Sequence, residues 1–330
     1  MPQPLQPWRA YRWMRLLISL AAASVVGGAT GTTSPRGVVT TVAVGSATFT
    51  ATSGWQSGSV VALAAATSDD ECAAPRPGWI WCDDFEQDRL SQYFEYDNAD
   101  GAFVRVRGAG RDGSYGMRAQ FARGQVSAGA LHLAMGKVPG RYFRTVDAGT
   151  AIYREVYWRM YVRNPARWVG GAGYKLTRAS SIVTSEWVEA MVAHLWGGDS
   201  PDTNSLQLDP VSGTDAAGNL QTTRYNDFAH FRWLGRKPGV TPLFDASHVG
   251  PWYCVEAHAR LNETGLSNGV FEFWINDNLE ARETGLNWLG GFGAYGINTV
   301  FFENYWNTGS PVAQERYFDN LVVSVQRIGC

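Results

Sequence analysis

The stretch from Ile152 to Arg163, IYREVYWRMYVR, carries side chains suited to acid–base chemistry at every second position. Successive side chains of a β-strand point to opposite faces, so one parity of this stretch predicts a core face. That parity contains Ile152, Val156, Trp158, Met160 and Val162, with Arg154 as an exception. The opposite parity is polar and contains Tyr153, Glu155, Tyr157, Arg159, Tyr161 and Arg163. A guanidinium beside a phenol favours the phenolate, and it also binds carboxylates, so this face predicts a reactive or ligand-binding surface.

Three further residues are candidates for proton transfer or charge neutralisation. Lys175 follows the glycine-rich run GGAG, His194 lies in the apolar stretch WVEAMVAHLW, and His258 lies between Glu256 and Arg260 in WYCVEAHARL. A histidine titrates near ~6.5 and a tyrosine near ~10 before any perturbation. The sequence leaves a structural alternative open for each residue. Lys175 could be a surface lysine, His194 a hydrogen-bonded core histidine, and His258 part of a charged structural ladder.

The candidate site residues fall into two groups. We predict a catalytic group of Lys175, His194, His258, Tyr157 and Arg159. We predict a substrate-binding group of Tyr153, Tyr161, Glu256, Arg260, Gln207, Tyr225, Glu303 and Tyr305.

Composition excludes several partners. The net charge is −2, so the chain has no global positive field for nucleic acid. No histidine and cysteine spacing matches a zinc site, and we expect no cofactor. The stretch from Asp202 to Asp209 has oxygen ligands for a structural calcium ion, although a solvated polar loop explains it better.

The N-terminal region predicts export. Three arginines precede the short apolar run LLISLAAASVVGGA, which is typical of a secretory signal peptide within residues 1–30. Residues 31–70 are rich in Thr, Ser and Ala and predict a leader or tether, followed by one domain over 71–330. We expect a secreted, periplasmic or cell-surface protein that is a monomer and has no membrane span after signal removal.

From Cys72 onward, short runs of Val, Tyr, Phe and Trp alternate with turn residues, which predicts an all-β sandwich. The strongest predicted strands after 152–163 are 187–196, 252–261, 270–276, 300–306 and 317–325.

At these strands the chain resembles the concanavalin A-like jelly rolls, and within them the secreted polysaccharide lyases of the alginate and glucuronan lyase type. The resemblance rests on YREVYWRMYVR with GGAGYKLTRA, on WVEAMVAHLWGG, on WYCVEAHARLN with NGVFEFWIND, and on YFDNLVVSVQRIG. The Gln-x-His strand of many alginate lyases is missing, and so is the E-x-D-x-x-E strand of related glycoside hydrolases.

The resemblance implies two antiparallel sheets and a concave cleft that cleaves a uronate-containing, anionic polysaccharide by β-elimination. That reaction needs a donor to neutralise the sugar carboxylate, a base for the C5 proton and an acid for the leaving oxygen. Two other functions remain open: a carbohydrate-binding module without catalysis, and a glycoside hydrolase with an unrecognised carboxylate pair.

The resemblance also implies a disulfide. In such folds the first and last strands pair antiparallel, and aligning Phe85 with Phe318 brings Cys72 near Cys330. We therefore expect a Cys72–Cys330 bond that closes both ends of the domain.

Overall fold

A computed structural model of the chain describes residues 41–44, 47–50, 71–198 and 204–330. The predicted signal peptide and most of the predicted leader lie outside these residues, as does Asp202 of the predicted calcium stretch. The chain divides into two units, residues 1–65 and 66–330. In the first, strands β1 (Thr41–Val44) and β2 (Ala47–Thr50) pair antiparallel.

The second unit is a sandwich of two eight-stranded sheets, which confirms the predicted all-β jelly-roll class. Among the described residues the only helical segments are three short 3-10 turns, Glu71–Ala73, Leu90–Gln92 and Ala99–Gly101. No helix in the described part of the chain is long and apolar enough to cross a membrane.

Sheet I runs from edge to edge in the order β4, β7, β17, β9, β10, β11, β12, and β13 also pairs with β11. Its strands are β4 (Glu95–Asp97), β7 (Ser127–Ala134), β9 (Tyr174–Ile182), β10 (Glu189–Trp196), β11 (Gln207–Ser212), β12 (Arg232–Trp233), β13 (Lys237–Pro238) and β17 (Thr299–Trp306).

Sheet II runs in the order β5, β6, β18, β8, β14, β15, β16, and β3 also pairs with β18. Its strands are β3 (Trp79–Asp83), β5 (Phe103–Arg107), β6 (Tyr115–Phe121), β8 (Glu155–Arg163), β14 (Tyr253–Arg260), β15 (Gly269–Ile275), β16 (Asn278–Leu286) and β18 (Gln314–Ser324).

The core lies between the sheets and uses the predicted apolar parity. Val156, Trp158, Met160 and Val162 of β8 are buried in one cluster with apolar side chains of β9, β10 and β14. The Trp158 indole donates to Thr177 Oγ1 of sheet I across the core, at 3.0 Å. Ile152 was assigned to this face wrongly: it precedes β8 and is exposed.

The first and last strands of the sandwich pair as expected, with Val322 opposite Cys82. The predicted Cys72–Cys330 bond is nevertheless wrong, because the disulfides are Cys72–Cys82 and Cys254–Cys330. Cys72 lies in a 3-10 turn that folds back over β3, and Cys330 ends a segment that leaves β18 and crosses β14. Each bond therefore fastens one terminal segment to the outer face of sheet II.

Two buried carboxyl groups on sheet II predict an unusual pH dependence of stability. Burial raises the pKa of Asp83 and of Asp319 to about 7, although each accepts backbone hydrogen bonds. Because the folded pKa lies above the unfolded one, the unfolded state gives up these protons first as pH rises. Stability from these groups is thus full below about pH 4 and is lost between about pH 4 and 7.

Replacing one of these carboxyl groups by an amide should remove part of that dependence. In Asp83→Asn, we expect the decline in unfolding free energy between pH 4.5 and 7.5 to shrink by a few kcal/mol, of order ~4 at most. Urea unfolding at several pH values measures it, with exposed Asp88→Asn as the control. An equal decline in both variants would contradict the assignment.

Candidate active site

The outer face of sheet I carries a row of side chains in register across neighbouring strands. The paired residues are Glu95, His132, Phe301, Arg178, His194 and Asp209, on β4, β7, β17, β9, β10 and β11. A second row places Tyr305 opposite Lys175 and Trp196 opposite both Lys175 and Gln207. Directly opposed side chains on adjacent strands lie about 5 Å apart at Cβ, so each row brings its members into contact.

Arg178 is the electrostatic centre of this face and is almost completely buried. Its guanidinium lies 3.2 Å from Glu303 Oε1 and 3.6 Å from Glu189 Oε1. It also donates to Asn226 Oδ1 at 2.9 Å and to the Tyr225 hydroxyl. Burial alone lowers the pKa of Arg178, but Glu303, Tyr225 and Glu189 outweigh it and raise the pKa, so the cation is permanent.

Glu189 is completely buried, which decides whether its carboxyl group can act on a ligand. Burial raises its pKa, against the lowering by Arg178, and its Oε2 accepts the backbone N–H of Asn226 at 2.9 Å. Glu189 therefore holds the loop that carries Tyr225 and Asn226, and it cannot reach a ligand in the cleft.

His194 is held as a neutral imidazole. Burial, and then the charges of Lys175 and Arg178, place its pKa well below the ordinary value. The ring stacks on Trp196 with centroids 5.3 Å apart, and Nε2 has no hydrogen-bond partner within the described residues. Nε2 itself is buried, and a neutral imidazole can accept a proton.

Tyr305 and Lys175 form a close pair beside His194. The Lys175 ammonium lies 4.6 Å from the centre of the Tyr305 ring. Burial, and then Glu303, raise the pKa of Tyr305, so its phenol keeps its proton at neutral pH. The pair thus combines a positive charge with a proton donor.

Lys175, Arg178 and His194 border one open depression, and Tyr305 lies beside Lys175. The depression is lined by Lys175, Arg178, Val192, His194, Asp209, Val211, Asn226, Phe228, Phe231 and Trp233. The opposite end of the same face is closed by an aromatic cluster that includes Phe94, Phe143 and Phe301, with Trp187 and Tyr225 packed against it. Ligand access is therefore from the side of β10, β11 and β12.

The structure places six of the predicted site residues around this face: Lys175, His194, Gln207, Tyr225, Glu303 and Tyr305. Sequence reasoning missed Arg178, Asn226 and Glu189. Arg178 lies on the same strand as the predicted Lys175 but at the opposite parity, and the pairing of β9 shifts register between them, while Asn226 lies in a loop without a pattern.

The other predicted residues do not join this cleft, which corrects the expected single site. Tyr157, Arg159, Tyr161, Glu256, His258 and Arg260 lie on the outer face of sheet II, on the far side of the core from Lys175. Tyr153 precedes β8, and its hydroxyl donates to Asp147 Oδ2 at 2.7 Å. The error arose because alternation identifies a polar face but not the sheet to which it belongs.

The terminal segments cover this face of sheet II. Arg159 is buried and pairs with Glu71 of the first 3-10 turn, and the Tyr161 hydroxyl donates to the Cys330 carbonyl at 2.6 Å. Glu256 accepts the backbone N–H groups of Ile328 and Gly329 at 2.7 and 3.1 Å. These contacts are structural.

His258 belongs to a charged ladder rather than a reactive site. Its two ring nitrogens lie 2.9 Å from Glu272 and 2.8 Å from Glu155, and its ring stacks on Tyr157 at 4.0 Å. Burial, and then these carboxylates, raise the pKa of Tyr157 to about 12. Arg260 donates to the Asn268 carbonyl at 3.0 Å.

No group of three or more metal-ligating side chains occurs in the part of the chain that the structure describes. Of the predicted calcium stretch, Asp209 accepts the Trp196 indole N–H at 3.2 Å and lies 3.4 Å from Arg236.

No protein-family model matches the sequence, and a sequence search of curated proteins finds no match. The fold is similar to solved polysaccharide lyases. The endo-beta-1,4-glucuronan lyase from the fungus Trichoderma reesei is 12% identical, with a TM-score of 0.51 over 75% of this chain and 96% of that chain. The marine PL-14 alginate lyase from Aplysia kurodai is 11% identical, with a TM-score of 0.52 over 74% and 98% of the two chains. At this identity the likeness establishes a related fold.

Proposed function

We propose that the chain is an exported polysaccharide lyase that cleaves a uronate-containing polymer by β-elimination on the outer face of sheet I. The observation that carries the proposal is that a neutral His194 and the Lys175 cation line one depression, with the protonated Tyr305 next to Lys175. The similarity of the fold to a glucuronan lyase and an alginate lyase supports it.

Each step of elimination has a residue suited to it. Lys175 and the side-chain amide of Asn226 neutralise the sugar carboxylate, and Asn226 is oriented because its Oδ1 accepts from Arg178. The His194 imidazole takes the C5 proton, the electron pair of the C5–H bond forms the C4–C5 double bond, and the C4–O bond breaks. Tyr305 gives its proton to the leaving oxygen, so protons and electrons balance.

The depressed basicity of His194 fits this sequence. Burial and then the charges of Lys175 and Arg178 lower the pKa of His194, and a bound carboxylate offsets those charges. The imidazole therefore becomes a stronger base when substrate is in place.

The glycoside hydrolase alternative is disfavoured by the position of the carboxylates. Glu189 and Glu303 both approach Arg178, but Glu189 is completely buried. A hydrolase needs two carboxyl groups that flank the scissile bond. The binding-module alternative predicts retention of a polymer without any product.

Loss of the proposed acid tests the assignment. We expect Tyr305→Phe to reduce the rise in ultraviolet absorbance from unsaturated product roughly 10²-fold or more on the best uronate polymer, because the leaving oxygen loses its proton donor. Tyr253→Phe is the matched control, because Tyr253 is half-buried and its hydroxyl donates to the His248 carbonyl. Equal rates for both variants would refute the role of Tyr305.

The same reasoning supports export, which the N-terminal sequence predicts. Two disulfides in the described domain fit an oxidising compartment. A polysaccharide too large to enter a cell also requires an enzyme that acts outside the cell.

A further inference from the structure

Two exposed aromatic rings border the depression on the side from which a ligand enters. Phe228 and Trp233 are each 51% exposed, which is unusual for large apolar side chains that lie next to each other. Their rings are nearly parallel, at 11°, with centroids 6.5 Å apart. Both line the same depression as Lys175 and His194.

The two rings are held firmly in spite of their exposure. Trp233 lies on β12 in register with Val211, and Phe231 packs with Val192 and Val211 underneath. Phe228 meets Phe231 edge to face at 6.1 Å. A ligand that stacks on these rings therefore costs little side-chain entropy, because few rotamers remain to be lost.

The rings of Phe228 and Trp233, here called the platform, lie next to the charged part of the site. The Lys175 ammonium lies 5.9 Å from the centre of the Phe228 ring. A sugar ring on the platform would thus be adjacent to the unit whose carboxylate Lys175 neutralises. Pyranose rings present a C–H face that is apolar, and an aromatic face with its negative quadrupole suits such a surface.

We propose that Phe228 and Trp233 form a separate sugar-binding subsite, which stacks against the apolar face of a pyranose ring next to the reacting unit. This inference deepens the proposed function and rests on it for the identity of the reacting unit. Because stacking reads the C–H face and not the charge, the subsite accepts uronate and neutral sugar rings alike.

The test measures affinity and elimination separately. Binding of short and long oligosaccharides, both uronate and uncharged, is followed by titration calorimetry for the full chain, Trp233→Ala, Trp233→Phe and Val240→Ala. Val240 is 77% exposed and does not line the depression, so it controls for loss of exposed apolar surface. Absorbance of unsaturated product is recorded for the same proteins.

We expect Trp233→Ala to weaken binding of long oligosaccharides roughly tenfold and to leave the shortest bound fragment unchanged. Trp233→Phe should retain most of the affinity, and Val240→Ala all of it. Equal affinity of Trp233→Ala and wild type, a matching loss in Val240→Ala, or no binding of any oligosaccharide would overturn the subsite.

Two further outcomes separate the subsite from the lyase proposal. Loss of binding in Trp233→Ala without elimination by the wild type would support the subsite and refute the lyase. If the rings instead pair two copies of the chain, sedimentation will show a dimer that Trp233→Ala dissociates, and that result would overturn the subsite.

Discussion

The variant His194→Ala should fold like the wild type and lose roughly 10²- to 10⁴-fold in kcat/KM on the uronate polymer that the wild type cleaves best, the range typical of a lost general base. The loss follows because the His194 imidazole lines the depression, while its buried Nε2 has no hydrogen-bond partner within the described residues. Its removal therefore takes away a proton acceptor and no structural hydrogen bond from that nitrogen.

The pH profile gives a second check on His194. Burial and the neighbouring cations hold its pKa well below the ordinary ~6.5, so the acid limb of kcat/KM in the wild type should fall below that value. The matched control is His248→Ala, which changes a half-exposed histidine outside the cleft. A His194→Ala variant that keeps wild-type kcat/KM would remove this residue from the mechanism.

The second large effect concerns stability. Arg178→Met should lower the free energy of unfolding by about 3–5 kcal/mol, because it leaves Glu189 and Glu303 buried without their cation. Since burial already raises the pKa of Glu189, the orphaned carboxyl should take up a proton, and the loss should shrink as pH falls.

A double-mutant cycle separates the ion pair from the rest of the cluster. Arg178→Met combined with Glu189→Gln should recover part of the stability lost in the single variant. The control Lys237→Met breaks an exposed pair with Glu283 and should cost less than about 1 kcal/mol. Urea unfolding measures the wild type, Arg178→Met, Glu189→Gln, the double variant and the control, and an Arg178→Met cost no larger than the control would contradict the central role of Arg178.

The sequence predicted the fold better than the site. Strand alternation in β8 identified Trp158 and Met160 as core residues, and the residues of the opposite parity do lie on the other face of the strand. What alternation could not provide was the sheet to which each polar face belongs, because both sheets of a sandwich have one face toward the core. Tyr157 and His258 were therefore grouped with Lys175 although the core separates them.

The missed and misassigned residues have physical explanations. Asn226 has a positive φ of 51° in a loop, and only its contacts with Arg178 and Glu189 show its importance. The disulfide error came from treating Cys72 as part of a continuous strand, whereas the chain folds back before β3. Such turns depend on tertiary contacts, here the pairing of Glu71 with Arg159.

The mass of the products is the most direct test of the central claim. The purified chain is incubated with a panel of uronate polymers, and the fragments are analysed by mass spectrometry beside His194→Ala. The account predicts new fragments with an unsaturated end and no added water, which His194→Ala fails to make. Fragments that have gained one water would show hydrolysis, and intact polymer that is bound but never cut would show a binding protein; either result would contradict a lyase.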